Sequence, residues 1–177
     1  MSQQWRTQRP GADEFAPFYA GYIAEVPEGD LVASLERQAV EIGALVRRIP
    51  DGIGDHRYAE GKWSIREVIQ HIIDAERVFA YRLLRFSRGD TTPLPGFDEG
   101  TYVRNGDAGQ RTIAQLAAEF EVVRRSTMAL IDPMSDEMMM RRGPANGRDI
   151  SARALSWIIA GHSAHHAQVL RERYLGD

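Results

Sequence analysis

Apolar residues along the chain recur at spacings of three and four rather than two, the rhythm of helices that turn one face inward. Four long segments carry it. The first runs from about Leu31 to Ile49, with Asp30 placed to cap it and Pro50-Asp51-Gly52 to end it. The second, about Ile65 to Ser87, has the clearest start: Ser64 and Glu67 are spaced as a capping box, Trp63 can pack on Val68 as a hydrophobic staple, and Gly89 ends it. The third spans about Ile113 to Ile131, opened by Thr112 with Gln115 three residues on and closed before Pro133. The fourth covers about Ala152 to Tyr174, with Ser151 as N-cap and Ile150 and Leu155 as its staple.

The connections add to this. Thr91 to Gly109 holds Pro93, Pro95 and the glycines Gly96, Gly100, Gly106 and Gly109, so it reads as a long crossover with a short helix around Asp98 to Val103. One long connection suits an all-α four-helix bundle that is not a simple array of hairpins. A second glycine- and proline-bearing stretch, Arg141 to Arg148, precedes the last helix. Residues 31–177 read as one domain. Residues 1–30 form an N-terminal arm in which 12–22 could make a short helix, and the first ten residues are expected to be loose. Trp63, Phe79, Phe86 and Trp157 are core or staple residues, and Met138-Met139-Met140 packs the start of a loop against the bundle.

Composition narrows the function classes. A chain of 177 residues with 43% hydrophobic and 27% charged residues can bury one core and is not disordered. Its formal charge of -3, with basic residues scattered apart from the doublets Arg47-Arg48, Arg124-Arg125 and Arg141-Arg142, argues against electrostatic nucleic-acid binding. There are no cysteines, which removes disulfides, thiolate ligands and a cysteine nucleophile, so any thiol chemistry needs an external thiol. With no apolar run near the roughly 20 residues of a membrane span and no apolar stretch after Met1, the chain reads as soluble and cytoplasmic.

The candidate chemistry lies in histidines. His162 and His166 stand at i and i+4 on the core-facing stripe Leu155, Ile158, Ile159, Val169 and Leu170. A third imidazole from a facing helix, His71, would give an ion three nitrogen ligands and leave one coordination position open. The competing reading is two buried, hydrogen-bonded histidines, since the pattern is short and lacks the glutamate of HExxH. His165 shares a flank with Gly161, Gln168 and Glu172, which suggests solvent or a subunit contact. His71 sits beside Val68, Ala75 and Val78, and Glu67 and Asp74 could orient its other nitrogen as outer carboxylates do. Asp74, Glu76 and Arg82 otherwise read as a solvated or salt-bridged helix face, and His56 as exposed loop. Asp98 and Glu99 lie in the crossover, where they could close over a site or simply be solvated.

Three stretches together resemble the DinB-like superfamily: Lys62 to Arg77 (KWSIREVIQHIIDAER), Pro95 to Asp98 (PGFD), and His162 to Leu170 (HSAHHAQVL). The resemblance covers the chain from about residue 31 onward. It implies a four-helix bundle holding a divalent metal, zinc or nickel most often, on three histidines that map to His71, His162 and His166. It also implies a homodimer. Characterised branches of that superfamily include bacillithiol transferases and mycothiol-dependent maleylpyruvate isomerases, and other members are described as metal-dependent hydrolases.

The reading that results is a divalent-metal-dependent enzyme whose three-histidine site activates a low-molecular-weight thiol for transfer to an electrophile. Its alternatives are a metal-dependent hydrolase, a non-catalytic metal-binding or dimerisation module associated with stress, and an apo bundle with buried histidines. No motif names the catalytic base or a substrate-binding residue. Arg82, Arg85 and Arg104 are the candidates for basic residues at the rim of a site, and Glu67, Asp74 and Asp98 are the candidates for supporting carboxylates.

Overall fold

The capping residues do what their spacing asks. In the computed structural model, which describes residues 3–176, helix α2 (Leu31–Arg47) starts with the Ala33 amide donating to Asp30 at 3.0 Å. Helix α3 (Ile65–Ser87) opens on a reciprocal box: the Glu67 amide donates to Ser64 Oγ at 3.2 Å and the Ser64 amide to the Glu67 carboxylate at 2.7 Å. Thr112 and Gln115 make the same exchange at the start of α5 (Ile113–Ile131). Ser151 accepts from the Ala154 amide at 2.8 Å to open α7 (Ala152–Val169), whose last turns, Leu170–Leu175, widen into a π-helix. Each box satisfies amides that a helix N-terminus otherwise leaves unpaired. Shorter helices are α1 (Ala20–Glu25), α4 (Glu99–Asn105) in the crossover, and α6 (Asp136–Met140).

Cross-helix bonds give the directions. The start of α3 meets the start of α5 and the middle of α3 meets its middle: Arg66 donates to the Arg111 carbonyl, while Glu76 and Arg77 pair with Arg124 and Glu119. So α3 and α5 run parallel, and a parallel pair cannot be joined by a tight turn; the 88–112 crossover is the required return. In the ring of neighbours α2 packs on α5 and α7, and α3 on α5 and α7, which leaves the consecutive helices α2 and α3 diagonal to each other.

The core divides into two apolar halves. One gathers Leu35, Phe79, Phe86, Trp157 and Ile158; the other gathers Ile42, Ile69, Ile73, Phe120 and Leu170. Between them lies a buried polar layer with one contribution from each bundle helix. Arg124 donates to Glu76 through Nε (2.9 Å) and Nη2 (2.8 Å), to Gln38 through Nη1 (3.2 Å), and to Ser163 Oγ through Nη2 (2.8 Å). Gln38 passes its own amide to the Ala160 carbonyl at 3.1 Å, and the guanidinium lies over the Phe120 ring. Arg124 is 0% exposed and Glu76 2%. Of the two readings for Glu76, solvated or salt-bridged, the fold takes the ion pair and buries it, because Glu76 falls on the stripe of Ile72, Phe79 and Leu83. Arg82 is buried as well, with Nη2 donating to the Pro95 carbonyl at 2.8 Å.

Two further expectations are corrected. The N-terminal arm is not loose over residues 3–10: Trp5 is 1% exposed and its indole N–H donates to the Met134 carbonyl at 2.9 Å, so an aromatic anchor holds it. Met1 and Ser2 lie outside the described residues. Farther along the arm, buried Glu14 accepts from Ser151 Oγ at 2.7 Å and pairs with Arg153. The stretch before α7 is a β-hairpin of β1 (Arg142–Ala145) and β2 (Arg148–Ser151). Its turn, Asn146-Gly147, has φ of 52° and 73°, the left-handed pair that type I′ hairpins demand. Leu94 stitches the crossover to it, its amide donating to the Pro144 carbonyl at 2.9 Å. Among the described residues no helix is long and apolar enough to cross a membrane.

Removing one partner of a buried ion pair strands the other. Arg124→Met is expected to cost about 3–5 kcal/mol in urea unfolding, whereas Glu76→Leu with Arg124→Met together should recover most of that loss. Equal loss in the single and double variants would contradict the pairing. A Cβ on Gly161 would stand 1.9 Å from the Tyr22 carbonyl oxygen, so Gly161→Ala should lower the melting temperature and expose the arm to limited proteolysis.

Candidate metal centre

Helices α3 and α7 face each other, and their histidines meet across that contact. His71 stands on α3 near its boxed N-terminus, while His162 and His166 stand one turn apart on α7. The three ring centroids form a near-equilateral triangle of 4.5, 4.7 and 4.8 Å. One ligating nitrogen from each ring lies within 4.8 Å of the other two, and Nε2 of His71 and Nε2 of His162 are 3.0 Å apart. In tetrahedral nitrogen coordination at about 2.0–2.1 Å, neighbouring donors stand about 3.3 Å from each other. The donor set and its spacing therefore fit a small divalent ion.

The protonation states fit as well. Burial holds the His71 imidazole down to about 4 and the His166 imidazole to about 3. Burial, then the neighbouring His166 and His71 rings, holds His162 well below the ordinary histidine range. All three are neutral at physiological pH, and a neutral imidazole keeps the lone pair that ligation uses. Their surroundings are apolar rings: Trp63 at 4.8 Å from the His71 centroid, and Tyr22 and Phe79 at 5.3 and 5.8 Å from that of His162. His71 and His162 are each 4% exposed, whereas His166 is half-buried and lines a cavity of about 310 Å³.

His165 is outside the triangle. Its Nδ1 lies 3.0 Å from a Glu25 carboxylate oxygen, so it faces the N-terminal arm rather than solvent alone. The carboxylates considered as supports have other partners. Glu67 is bound by the Arg57 guanidinium and the Ser64 amide, which against partial burial hold it below the ordinary carboxylate range. Asp74 accepts from Gln70 Nε2 at 3.0 Å, and burial pushes its carboxyl up. Asp98 is exposed and caps α4 by accepting from the Thr101 amide at 2.6 Å. The arginines considered for the rim are also engaged elsewhere: Arg82 at Pro95 and over the Phe97 ring, Arg85 with Asp90 and Tyr81, Arg104 with Thr101 and Asp98.

Sequence periodicity gave no view of Tyr22 and Glu25, which reach the histidines from the arm. Gly161 carried the hint, since a glycine inside a helical pattern marks a close approach. Here the α1 backbone crosses α7 at that position.

Comparison with known proteins comes to the same architecture. A family profile described as the DinB superfamily matches residues 34–170. Among solved structures, the chain is similar to YfiT from Bacillus subtilis with a TM-score of 0.75 and 18% identity, covering 98% of this chain and 99% of that one. YfiT is described as a probable metal-dependent hydrolase with an unusual four-helix bundle topology, and the likeness establishes a shared fold. No curated protein sequence matches the chain.

Because the folded imidazoles resist protonation and unfolded ones titrate near 6.5, the unfolded chain takes up protons first as pH falls. Stability of the metal-free protein should be fully present above about pH 6.5 and decline below it, by up to about 1.4 kcal/mol per pH unit for each imidazole. Thermal melts with chelator from pH 7.5 to 5 measure this. Replacing His162 by Gln should flatten the slope, and parallel curves for the two proteins would contradict the assignment.

Proposed function

The chain belongs to the DinB superfamily, and on that premise we propose that it is a divalent-metal-dependent enzyme that activates a small nucleophile at His71, His162 and His166. The observation that carries this reading is the convergence of three neutral imidazole nitrogens, one of them beside an open cavity. A divalent ion held there supplies a positive charge that brings the pKa of a small nucleophile, water or an external thiol, toward neutrality.

The residues of the chain do the rest. His71 and His162, buried among Trp63, Phe79 and Tyr22, keep water away from the inner side of the triangle, so a nucleophile can arrive only from the His166 side. Arg124, through Ser163 Oγ, fixes the rotation of α7 one residue from His162 and so holds the imidazole pair toward α3. Both effects are positional: they set which lone pairs point inward and cost no rearrangement when a ligand binds.

Two nucleophiles remain in the proposal. Hydrolysis is supported by the description of the structurally similar YfiT. Thiol transfer follows from the family resemblance, and with no cysteine in the chain the thiol would be a cosubstrate. Zinc and nickel are the ions proposed, since both take imidazole nitrogen.

Protein purified without a nickel column should carry close to one divalent ion per chain by elemental analysis. A ligand that binds only the folded state at a hundredfold excess over Kd adds about 2.7 kcal/mol, so chelation should lower the melting temperature. His162→Ala and His166→Ala should lose that metal-dependent shift while keeping helical circular dichroism. A chromogenic ester assayed with and without a small thiol separates the nucleophiles: turnover without thiol supports the hydrolase, and turnover only with it supports the transferase. Turnover by wild type that survives complete metal removal would reject the proposal.

A further inference from the structure

The chain carries 22 basic residues, and only one of them, Lys62, is a lysine. It sits on the rim of the cavity next to His166. Its neighbours Arg57 and Arg66 are each committed to carboxylates, Arg57 to Glu67 and Arg66 to Asp51 and Asp55. Among the described residues the Lys62 ammonium has no hydrogen-bond or ion-pair partner, and the side chain is exposed. It is thus a mobile point charge rather than a fixed fork.

The walls behind it are flat, apolar and held in place. Tyr58 and Tyr174 meet edge to face, centroids 5.0 Å apart at 88°, and Trp63, two residues before α3, lines the same cavity. Tyr174 Oη donates to the Trp63 carbonyl at 2.5 Å, so its hydroxyl is turned to the backbone and its ring is what the cavity meets. Burial pushes that phenol up to about 12, and it stays neutral. The Arg57 guanidinium grips the Lys62 carbonyl at 2.6 Å and the Glu67 carboxylate together, which pins the loop that carries the cavity wall. Val68 and His166 complete the lining.

We propose that this cavity is a binding site for a small carboxylate with an aromatic or similarly flat body, the carboxylate on Lys62, the body among Trp63, Tyr58 and Tyr174, and the far end toward His166. A cationic guest would suit aromatic walls alone, but Lys62 repels it and the nearby Glu67 is already neutralised by Arg57. A phosphate calls for more than one cation, and one unpaired charge is present. A volume of about 310 Å³ lies at the small end of ligand sites and matches a single ring with a short chain. The orientation toward His166 rests on the function proposed above; the binding itself does not.

Metal-free protein can therefore test it. Trp63 is the half-buried tryptophan, whereas Trp5 and Trp157 are 1% and 0% exposed, so a fluorescence change on adding ligand reports on the cavity. Phenylacetate should quench it saturably over the millimolar range, and the quench should vanish in Trp63→Leu. Phenylacetamide, and phenylacetate with Lys62→Met, should each bind at least about tenfold more weakly, as a charge-assisted hydrogen bond of about 1.5–3 kcal/mol requires. Inorganic phosphate should not compete. Reductive methylation with labelled formaldehyde gives one lysine side-chain NMR resonance, which phenylacetate should shift. An unsaturable quench, equal binding of the amide, an unchanged Lys62→Met, or phosphate competing as well as phenylacetate would each overturn the site. Chelator-treated protein that still binds phenylacetate but takes up no zinc would sink the metal-centre reading and leave this one standing.

Discussion

The Arg124 guanidinium holds one residue from every bundle helix in a single buried layer: Glu76 of α3, Gln38 of α2, Ser163 of α7, and itself from α5. Two apolar halves above and below could slide or rotate past one another at little cost, because hydrophobic burial is non-directional. The layer removes that freedom, since any shift of one helix by a turn leaves a buried donor or acceptor without a partner. The layer adds direction more than net stability, as buried ion pairs generally do.

The histidine triangle depends on that registration. His162 precedes Ser163, so the hydrogen bond from Arg124 sets the face that α7 turns to α3. The ion would then find its donors placed by the polar layer on one side and by the capping box of Ser64 and Glu67 on the other, which fixes where α3 begins. The two fixed points lie on either side of the centre, and the centre needs no large movement to reach ligand spacing. On the open side, Tyr174 reaches the Trp63 carbonyl from a stretch of π-helix, whose extra residue per turn rotates it from its α-helical position.

What could be read from the sequence was what is local or periodic. The caps at Asp30, Ser64, Thr112 and Ser151 depend on neighbours within three residues, and the placement of His162 and His166 on one face depends on a period of 3.6; both hold in the fold. The burial of Glu76 is masked by Asp74 and Arg77 beside it, although its spacing from Ile72 and Phe79 puts it on the buried stripe. A carboxylate and a guanidinium on the apolar stripes of two helices can be matched only once α3 and α5 are known to face each other. The hairpin was hidden differently: Asn146-Gly147 announces a tight turn, but its strands are four residues each, with Pro144 in one. Trp5 has no periodic context at all, and its burial against Met134 is a long-range fact that no local pattern encodes.

The order in which the chain emerges during synthesis acquires a meaning from the seat of α1 on α7. The Tyr22 carbonyl lies against Gly161, and two of the three converging imidazoles belong to the same late helix. A nascent chain that has released α2 and α3 holds His71 alone, with an arm whose docking surface does not yet exist. Closing so long a loop must wait for the C-terminal segment, and its entropy cost is lowered only as far as the earlier packing of α2 and α3 on α5 has already drawn the chain together. Three imidazoles can therefore converge, and the arm can find its seat against Gly161, only after α7 has been made.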